Sequence, residues 1–379
     1  MVDTALGGWP MTKAGGHVPH GKHWNTVFTE LFAHTGVSPV FRMVVQYQPR
    51  MKQSLLMIGP GGTGLPPQVL LNQAHYAEQV QAYKDYIRQS ALLFGATDNA
   101  KLKEDIEQMV HLEMNIAHVL QLNPFNFIRL GTLSGLNTAT NHRIDWVNWI
   151  NSILVATKST TKHLTLEDKI GVANIDYLHG AAEVLDQSKE EVVQNLFAWL
   201  TIFVFGPLTT DQFRHNEAVF RSTLTGVKVE VPTPEYCFNV ANAKLPFAMG
   251  RVYVDTHFTP ADKKEAEVLV KEIKGSFQNV LSTNDWLDAE TKKLALEKLA
   301  AIKENIAYPD WVMADADLDH YYEHLKGVNV QAGKFLESAM LLNTLTTRHQ
   351  LDTMHDALNH TLLWPMTPAV SFDLHFWVF

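Results

Sequence analysis

The feature that most limits what this chain can fold into is a set of amphipathic segments with helix-start signals. Residues 259–262 (Thr-Pro-Ala-Asp) combine an N-cap residue, a first-turn proline and an acid. After them, apolar residues recur every three or four positions, with Lys and Glu between them: Ala266, Leu269, Val270, Ile273, Phe277, Val280 and Leu281. This spacing places an apolar stripe on one helix face, so the segment is predicted to be a long amphipathic helix.

Similar signals recur along the chain. Ser188 and Glu191 have the spacing of a capping box ahead of 192–205, and Asp288 can cap a helix running to about Ile306. Further helices are expected at 24–34, 69–93 and 334–345, and strands rich in apolar and β-branched residues at 41–47 and 54–58. The predicted fold class is therefore mainly α, a large multi-helix domain with a small β element near the N-terminus.

Charge and hydropathy exclude several functions. The net charge of −9 argues against a nucleic-acid partner, because such a surface needs an excess of Lys and Arg. The longest apolar run, 196–205, is far shorter than the roughly 20 residues needed to cross a bilayer, so no membrane segment is expected. The first ten residues lack the pattern of a secretory signal. The one cysteine, Cys237, rules out an internal disulfide, favours a reducing compartment, and is predicted to lie in the core.

Two motif matches are weak. Residues 59–64 (GPGGTG) fit the dinucleotide pattern G-x-G-x-x-G, but Pro66 and Pro67 delay the helix that must hold the pyrophosphate, so a glycine-rich connection is expected. Asp315, Asp317 and Asp319 resemble the start of a calcium loop, yet the glycine and bidentate Glu required later are absent, and a solvated acidic loop is expected.

The segment 320–324 (HYYEH) matches H-x-x-E-H, the inverted zinc-peptidase pattern. On a helix, His320 and His324 share a face and could bind one zinc ion, with Glu323 as the catalytic base. Such a site needs a third protein ligand, and few acids follow in the chain. The alternative is a short exposed helix with two polar histidines.

Several longer matches resemble the neprilysin and endothelin-converting-enzyme family of zinc endopeptidases. Residues 248–254 (AMGRVYV) resemble its A-x-G-R-L-Y-V segment, and 286–303 resemble its W-M-D-x-x-T-K run. Residues 306–309 (IAYP) resemble I-G-Y-P, and G-L-P and G-W-P also have counterparts. The family-motif residues, which we expect to be structural, are Gly8, Trp9, Pro10, Gly64, Leu65, Pro66, Gly250, Arg251, Tyr253, Tyr308 and Pro309.

The resemblance implies that residues 1–370 are the family's N-terminal helical domain, with an irregular and β-containing entry at 7–66, a helical body at 67–350 and a divergent tail at 371–379. In the intact family enzyme this part is non-catalytic and encloses a chamber that limits substrates to peptides. The resemblance also implies zinc and a C-terminal catalytic domain as partner in the intact enzyme, and a location at the outer face of the plasma membrane.

The sequence departs from the family where the chemistry should follow. Residues 364–370 (WPMTPAV) resemble the lead-in to the substrate-binding V-N-A-x-Y, but Ser371 and Phe372 stand next. The motifs H-E-x-x-H and E-x-x-x-D, which supply the family's zinc ligands and base, are absent, so we expect no cofactor in this chain and no activity of the chain alone. A truncated peptidase module is the leading hypothesis. The alternatives are a non-enzymatic peptide-binding or protein-binding protein and an inverted zincin using HYYEH.

Overall fold

The structure of the chain is a computed structural model that describes residues 8–13, 21–48, 51–122, 128–302, 304 and 306–356. The described residues form two compact units. Unit 1 takes in those up to 232 together with 327–356, and unit 2 takes in those from 233 to 326. The predicted single domain over 1–370 stays a prediction, and the two units are described separately.

Unit 1 consists of helices around a small sheet. Its helices are α1 (Trp24–Thr35), α2 (Pro67–Leu71), α3 (Ala77–Leu93), α4 (Ala100–Leu122), α5 (Leu133–Ala139), α6 (Trp146–Ala156), α7 (Ile175–Gln187), α8 (Glu190–Phe205), α9 (Asp211–Thr225) and, from later in the chain, Phe335–Asp352. Its strands are β1 (Phe41–Gln48), β2 (Gln53–Pro60), β3 (Ile128–Thr132) and β4 (Lys169–Ala173). The predicted fold class, mainly α with a small β element, is confirmed.

The sheet has the strand order β1-β2-β4-β3. β1 and β2 form an antiparallel hairpin with Phe41 opposite Pro60, and β4 pairs in parallel with β2 and antiparallel with β3. The hairpin confirms the two predicted strands. β3 and β4 were not predicted, because each has only five residues and β3 is largely exposed, so neither shows a clear two-residue alternation.

Aromatic side chains form two clusters in the core of unit 1. Trp24 stacks on Phe41 with ring centroids 5.3 Å apart, and Trp149 packs edge-on against both rings. A second cluster centres on Trp199, which meets Tyr83 and Tyr86 edge to face. Large aromatic side chains bury much apolar area, and these contacts join α1, β1, α3, α6 and α8.

Unit 2 contains α10 (Thr233–Lys244), α11 (Pro246–His257), α12 (Pro260–Thr283), α13 (Ala289–Ala301) and α14 (Asp315–Tyr321). The helix at 335–352 is α15 and belongs to unit 1. The predicted start of α12 is confirmed in detail: the Thr259 hydroxyl accepts from the Asp262 N–H, and the Asp262 carboxylate accepts from the Thr259 N–H in return. Asp288 caps α13 in the predicted way, although α13 ends at Ala301 rather than near Ile306.

Four expectations were wrong. The acidic loop expected at Asp315, Asp317 and Asp319 is instead the first part of helix α14. Ser188 does not cap α8: its hydroxyl donates to the carbonyl of Val184 and closes α7 instead, because only Ser188 and Lys189 separate the two helices. The run 69–93 is split into α2 and α3 rather than being continuous. Cys237 is half-buried in α10 rather than placed in a core.

One described stretch, Glu190–Leu208, is long and apolar enough to pass a length and composition test for a membrane span. Most of it, 78% of its most apolar window, is buried inside the protein. Its buried side chains include Leu196, Phe197 and Trp199, which lie in the aromatic core. A core helix of a globular protein has this character, so the stretch is weak evidence for a membrane segment.

Candidate functional site

The glycine loop after β2 is held by a buried carboxylate. The backbone N–H of Gly64 donates to Glu113 Oε1 at 2.7 Å, and the hydroxyl of Tyr83 donates to Glu113 Oε2 at 2.8 Å. Trp199 Nε1–H in turn donates to the Tyr83 oxygen at 2.6 Å. The G-L-P loop, α3, α4 and α8 are therefore connected through one hydrogen-bond chain.

Burial shifts the pKa values of the acidic groups in this hydrogen-bond network. Glu113 is fully enclosed, and burial raises its pKa from 4.5 to about 7, opposed by the hydrogen bonds from Gly64 and Tyr83. Burial and the neighbouring Glu113 raise the pKa of Tyr83 well above its ordinary value. A carboxyl this enclosed has no path to a substrate, so we interpret the network as a structural tie for the loop.

Gly64 fits this network because it has no side chain. A Cβ atom at position 64 would lie 1.8 Å from the Tyr83 hydroxyl, far inside contact distance. Any larger residue must displace Tyr83 or the loop. The glycine of G-L-P is therefore required by a close approach, and the glycine loop shows no helix opening directly from it to hold a pyrophosphate.

The G-W-P residues reach the same place from the N-terminus. Trp9 is buried, stacks on Trp199 at 6.0 Å between centroids, and meets Phe94 edge-on at 5.8 Å. Pro10 begins a short 3-10 turn, and the N–H of Met11 donates to Asn195 Oδ1 at 2.9 Å. Trp199 thus contacts Trp9 directly and the G-L-P loop through Tyr83.

In unit 2, Arg251 of the G-R-x-Y segment joins α11 to the turn at 310–313. Its guanidinium donates to the carbonyl of Val312 at 3.0 Å and to Asp255 at 2.9 Å. Gly250 lies inside α11, and Tyr253 is half-exposed on the same helix. Arg251 acts here as a connector of backbone and carboxylate groups.

Tyr308 and Pro309 form a second tie in unit 2. Lys263, in the first turns of α12, donates to the Tyr308 carbonyl at 2.9 Å and pairs with Asp310 at 2.6 Å. The same ammonium group lies 4.5 Å from the centre of the Tyr308 ring, in cation–π geometry. Pro309 precedes the 3-10 turn that follows.

The H-x-x-E-H segment does not lie on one helix. α14 ends at Tyr321, and a 3-10 turn covers Glu323–Leu325. His320 is strongly exposed and its Nδ1 lies 3.4 Å from Glu323 Oε2. The described residues bring together no group of three or more His, Cys, Asp and Glu side chains that could hold a metal.

The middle of that segment is used for packing. Tyr321 lies 4.8 Å from Phe247 and 5.2 Å from Trp311 between ring centroids. The Tyr322 oxygen accepts a hydrogen bond from the Phe247 N–H at 3.1 Å. The two tyrosines therefore join the end of α14 to the start of α11, and the His324 ring lies 6.3 Å from the Tyr322 ring.

A groove of about 440 Å³ lies between α3 and α9 in unit 1. Its floor is apolar, with Tyr86 and Phe220, and its rim carries Glu78, Asp85 and His215. A bound molecule in this groove would meet aromatic rings on the floor and carboxylate groups at the rim.

Sequence reasoning missed Glu113 and Tyr83. The signal was available: Ile106, Met109 and Ile116 share a helix face, and Glu113 falls on that face at helical spacing. A charged residue within an apolar stripe predicts a buried polar contact, because burying a carboxylate without partners costs several kcal/mol or more.

The model of peptidase family M13 matches residues 4–309 of the chain. Neprilysin-1 of Trittame loki is 25% identical over 378 residues, covering 97% of this chain and 51% of that protein. Endothelin-converting enzyme 1 of Mus musculus is 24% identical over 377 residues, covering 96% and 47%. The chain thus spans about half the length of these curated relatives.

Solved structures agree on the fold. The open state of the Mycobacterium tuberculosis zinc metalloprotease Zmp1 superposes with a TM-score of 0.68 at 18% identity, over 97% of this chain and 54% of that one. PepO from Lactobacillus rhamnosis gives a TM-score of 0.68 at 16% identity, over 90% and 52%. Together with the family match over most of its length, these comparisons confirm the resemblance in the sequence: the chain belongs to peptidase family M13 and corresponds to its N-terminal region.

Proposed function

We propose that this chain is the substrate-enclosing N-terminal module of a zinc endopeptidase whose catalytic part lies in a C-terminal half. The observation that carries the proposal is the coverage: relatives match almost all of this chain, yet the chain spans only about half of them. The motif residues support it, because Trp9, Gly64, Arg251 and Tyr308 all act as structural ties in their units.

The residues described here do not fit a zinc ion. A catalytic zinc needs three protein ligands and an open position for water. His320 and His324 belong to different helical segments, and no larger set of ligand side chains gathers in the described part of the chain. We therefore assign zinc binding and water activation to the C-terminal half. The role of this chain is to fold, to enclose peptides and to exclude larger substrates.

The proposal predicts that the purified chain alone cleaves no peptide in a chelator-sensitive way. A chimera that joins residues 1–370 to the remaining C-terminal half of Trittame loki Neprilysin-1 should gain such cleavage. A matched chimera whose H-E-x-x-H glutamate is replaced by Gln should fold equally well and stay inactive. Chelator-sensitive cleavage by the chain alone, or a cooperatively folded, zinc-loaded chimera without activity, would contradict the proposal.

We further propose, from the family resemblance, that the intact enzyme acts on peptides at the outer face of the plasma membrane. Surface biotinylation of cells that produce the intact enzyme tests this location. Labelling of the enzyme in unbroken cells is the expected result. Labelling only after the cells are opened would contradict it.

A further inference from the structure

An apolar face of α12 in unit 2 lacks cover. Leu269, Ile273, Phe277 and Val280 follow one another at spacings of four, four and three, which places them along one side of the helix. Their exposed fractions are 62%, 56%, 51% and 58%. Single exposed apolar side chains are common on protein surfaces, but four in line on one helix mark an interaction surface.

The helix that carries this face is well anchored elsewhere. The capping box of Thr259 and Asp262 closes its start. Lys263 ties its first turns to Tyr308, and Lys274 donates to the carbonyl of Ile302 at 3.0 Å. These lysines, with the half-buried Val270, define the side of α12 that packs within unit 2. The exposed apolar side chains therefore form a strip directly beside the packed side of a fixed helix.

Further apolar side chains in unit 2 are also exposed. Trp286, just after α12, is 79% exposed, and Leu294 on α13 is 58% exposed. Every residue of α12 itself, all within the described part of the chain, is at least partly exposed. A set of helices with so little burial lacks a surface against which to pack, because amphipathic helices derive most of their stability from a buried apolar face.

We propose that Leu269, Ile273, Phe277 and Val280, termed here the α12 face, form the surface on which the C-terminal half of an M13 peptidase packs. This inference rests on the proposed function. The occupant is argued from length: the relatives that match 96–97% of this chain contain about as much polypeptide again outside the match. An apolar helix face of this extent requires an apolar partner surface, and that second half is the polypeptide available to supply it.

The test measures binding of the full chain to the separately produced C-terminal half of Trittame loki Neprilysin-1, by calorimetry. The wild-type chain should bind. Ile273→Glu and Phe277→Glu should each weaken binding by at least about tenfold, since they place a charge in the centre of the interface. Gln278→Glu, an exposed position on another side of α12, is the matched control for added charge and should change the affinity less than about twofold.

Three results would overturn the proposal. The first is an absence of binding, or binding that Ile273→Glu leaves unchanged. The second is a wild-type dimer, seen by light scattering, that Ile273→Glu dissolves, since the occupant is then a second copy. The third is slow hydrogen exchange of the α12 backbone amides in the free chain that becomes fast when residues 357–379 are deleted. In that case the occupant of the α12 face is this chain's own C-terminal segment. A complex that forms as expected but lacks chelator-sensitive cleavage would instead contradict the proposed function alone.

Discussion

At the scale of single residues, the hydrogen-bond chain from Gly64 through Glu113 and Tyr83 to Trp199 connects three helices and a loop. Its central carboxyl is fully buried, and the groups that donate to it are a backbone N–H and a phenol. Uncharged donors stabilise a buried carboxylate less than a cation would. The protonation state of Glu113 should therefore influence the stability of unit 1.

The first prediction concerns the pH dependence of that stability. Burial raises the pKa of Glu113 from 4.5 to about 7, so between these values the folded chain binds more protons than the unfolded chain. Its contribution to the unfolding free energy is complete below pH 4.5 and is lost as pH rises through 7, by about 3 kcal/mol in total. Urea unfolding between pH 4.5 and 8 should show this fall.

Glu113→Gln should remove that fall, because the amide does not titrate over this range. Glu104→Gln, an exposed position on the same helix, is the matched control and should keep the wild-type slope. If Glu113→Gln and wild type lose stability equally between pH 4.5 and 7, Glu113 does not carry the effect.

A second residue-scale prediction uses the loop glycines. Gly64→Ala places a methyl group 1.8 Å from the Tyr83 hydroxyl, so the Tyr83–Glu113 hydrogen bond must shift or break. We expect a loss of about 2–4 kcal/mol in unfolding free energy. Gly62→Ala, where a Cβ meets open space, should stay within about 0.5 kcal/mol. Denaturant unfolding distinguishes the two, and equal losses would contradict the close-approach explanation.

At the scale of elements, capping signals in the sequence predicted a helix start correctly where the capping side chains interact with that helix alone. Thr259 and Asp262 form the expected reciprocal cap because the preceding helix, α11, ends at His257 and makes no use of them. Ser188 failed as a cap because it lies between two helices and its hydroxyl closes the first. A capping pattern does not show which of two adjacent helices uses the side chain.

The third prediction tests this distinction. Thr259→Ala should lower the unfolding free energy of unit 2 by about 1 kcal/mol and speed hydrogen exchange in the first turn of α12, whereas Thr259→Ser should retain most of the cap. Ser188→Ala should leave hydrogen exchange in the first turn of α8 unchanged, because the Ser188 side chain does not cap that turn. Faster hydrogen exchange at the start of α8 in Ser188→Ala would contradict this prediction and would indicate that Ser188 caps α8.

At the scale of the whole molecule, the question is whether this chain binds zinc by itself. His320 lies in α14 and His324 in the 3-10 turn that follows it, and the His320 ring contacts Glu323 instead. Any shift of the unfolding midpoint by added zinc should therefore be the same in wild type and in a His320→Ala, His324→Ala double variant. Calorimetric scans with and without zinc check this, and a zinc-induced stabilisation lost only in the double variant would support the inverted-zincin hypothesis.

The sequence by itself determined the class and the family of this protein. Helix periodicity, caps and the β1–β2 hairpin are local patterns, and the motifs from G-W-P to I-A-Y-P are contiguous, so both are visible without a fold. The family-motif residues were expected to be structural, and the contacts of Trp9, Gly64, Arg251 and Tyr308 support that expectation.

Only the tertiary structure decided how distant residues are used. Gly64, Tyr83, Glu113 and Trp199 are separated by up to 135 positions, and their hydrogen-bond chain exists only because folding brings four elements together. The α12 face is the opposite case, because folding leaves these apolar side chains without cover. Periodicity shows that a helix has an apolar stripe but not whether anything covers it, because burial depends on neighbours that are distant along the chain or belong to another polypeptide. The sequence therefore predicted the helix and its apolar stripe, and the structure showed that much of this stripe is exposed.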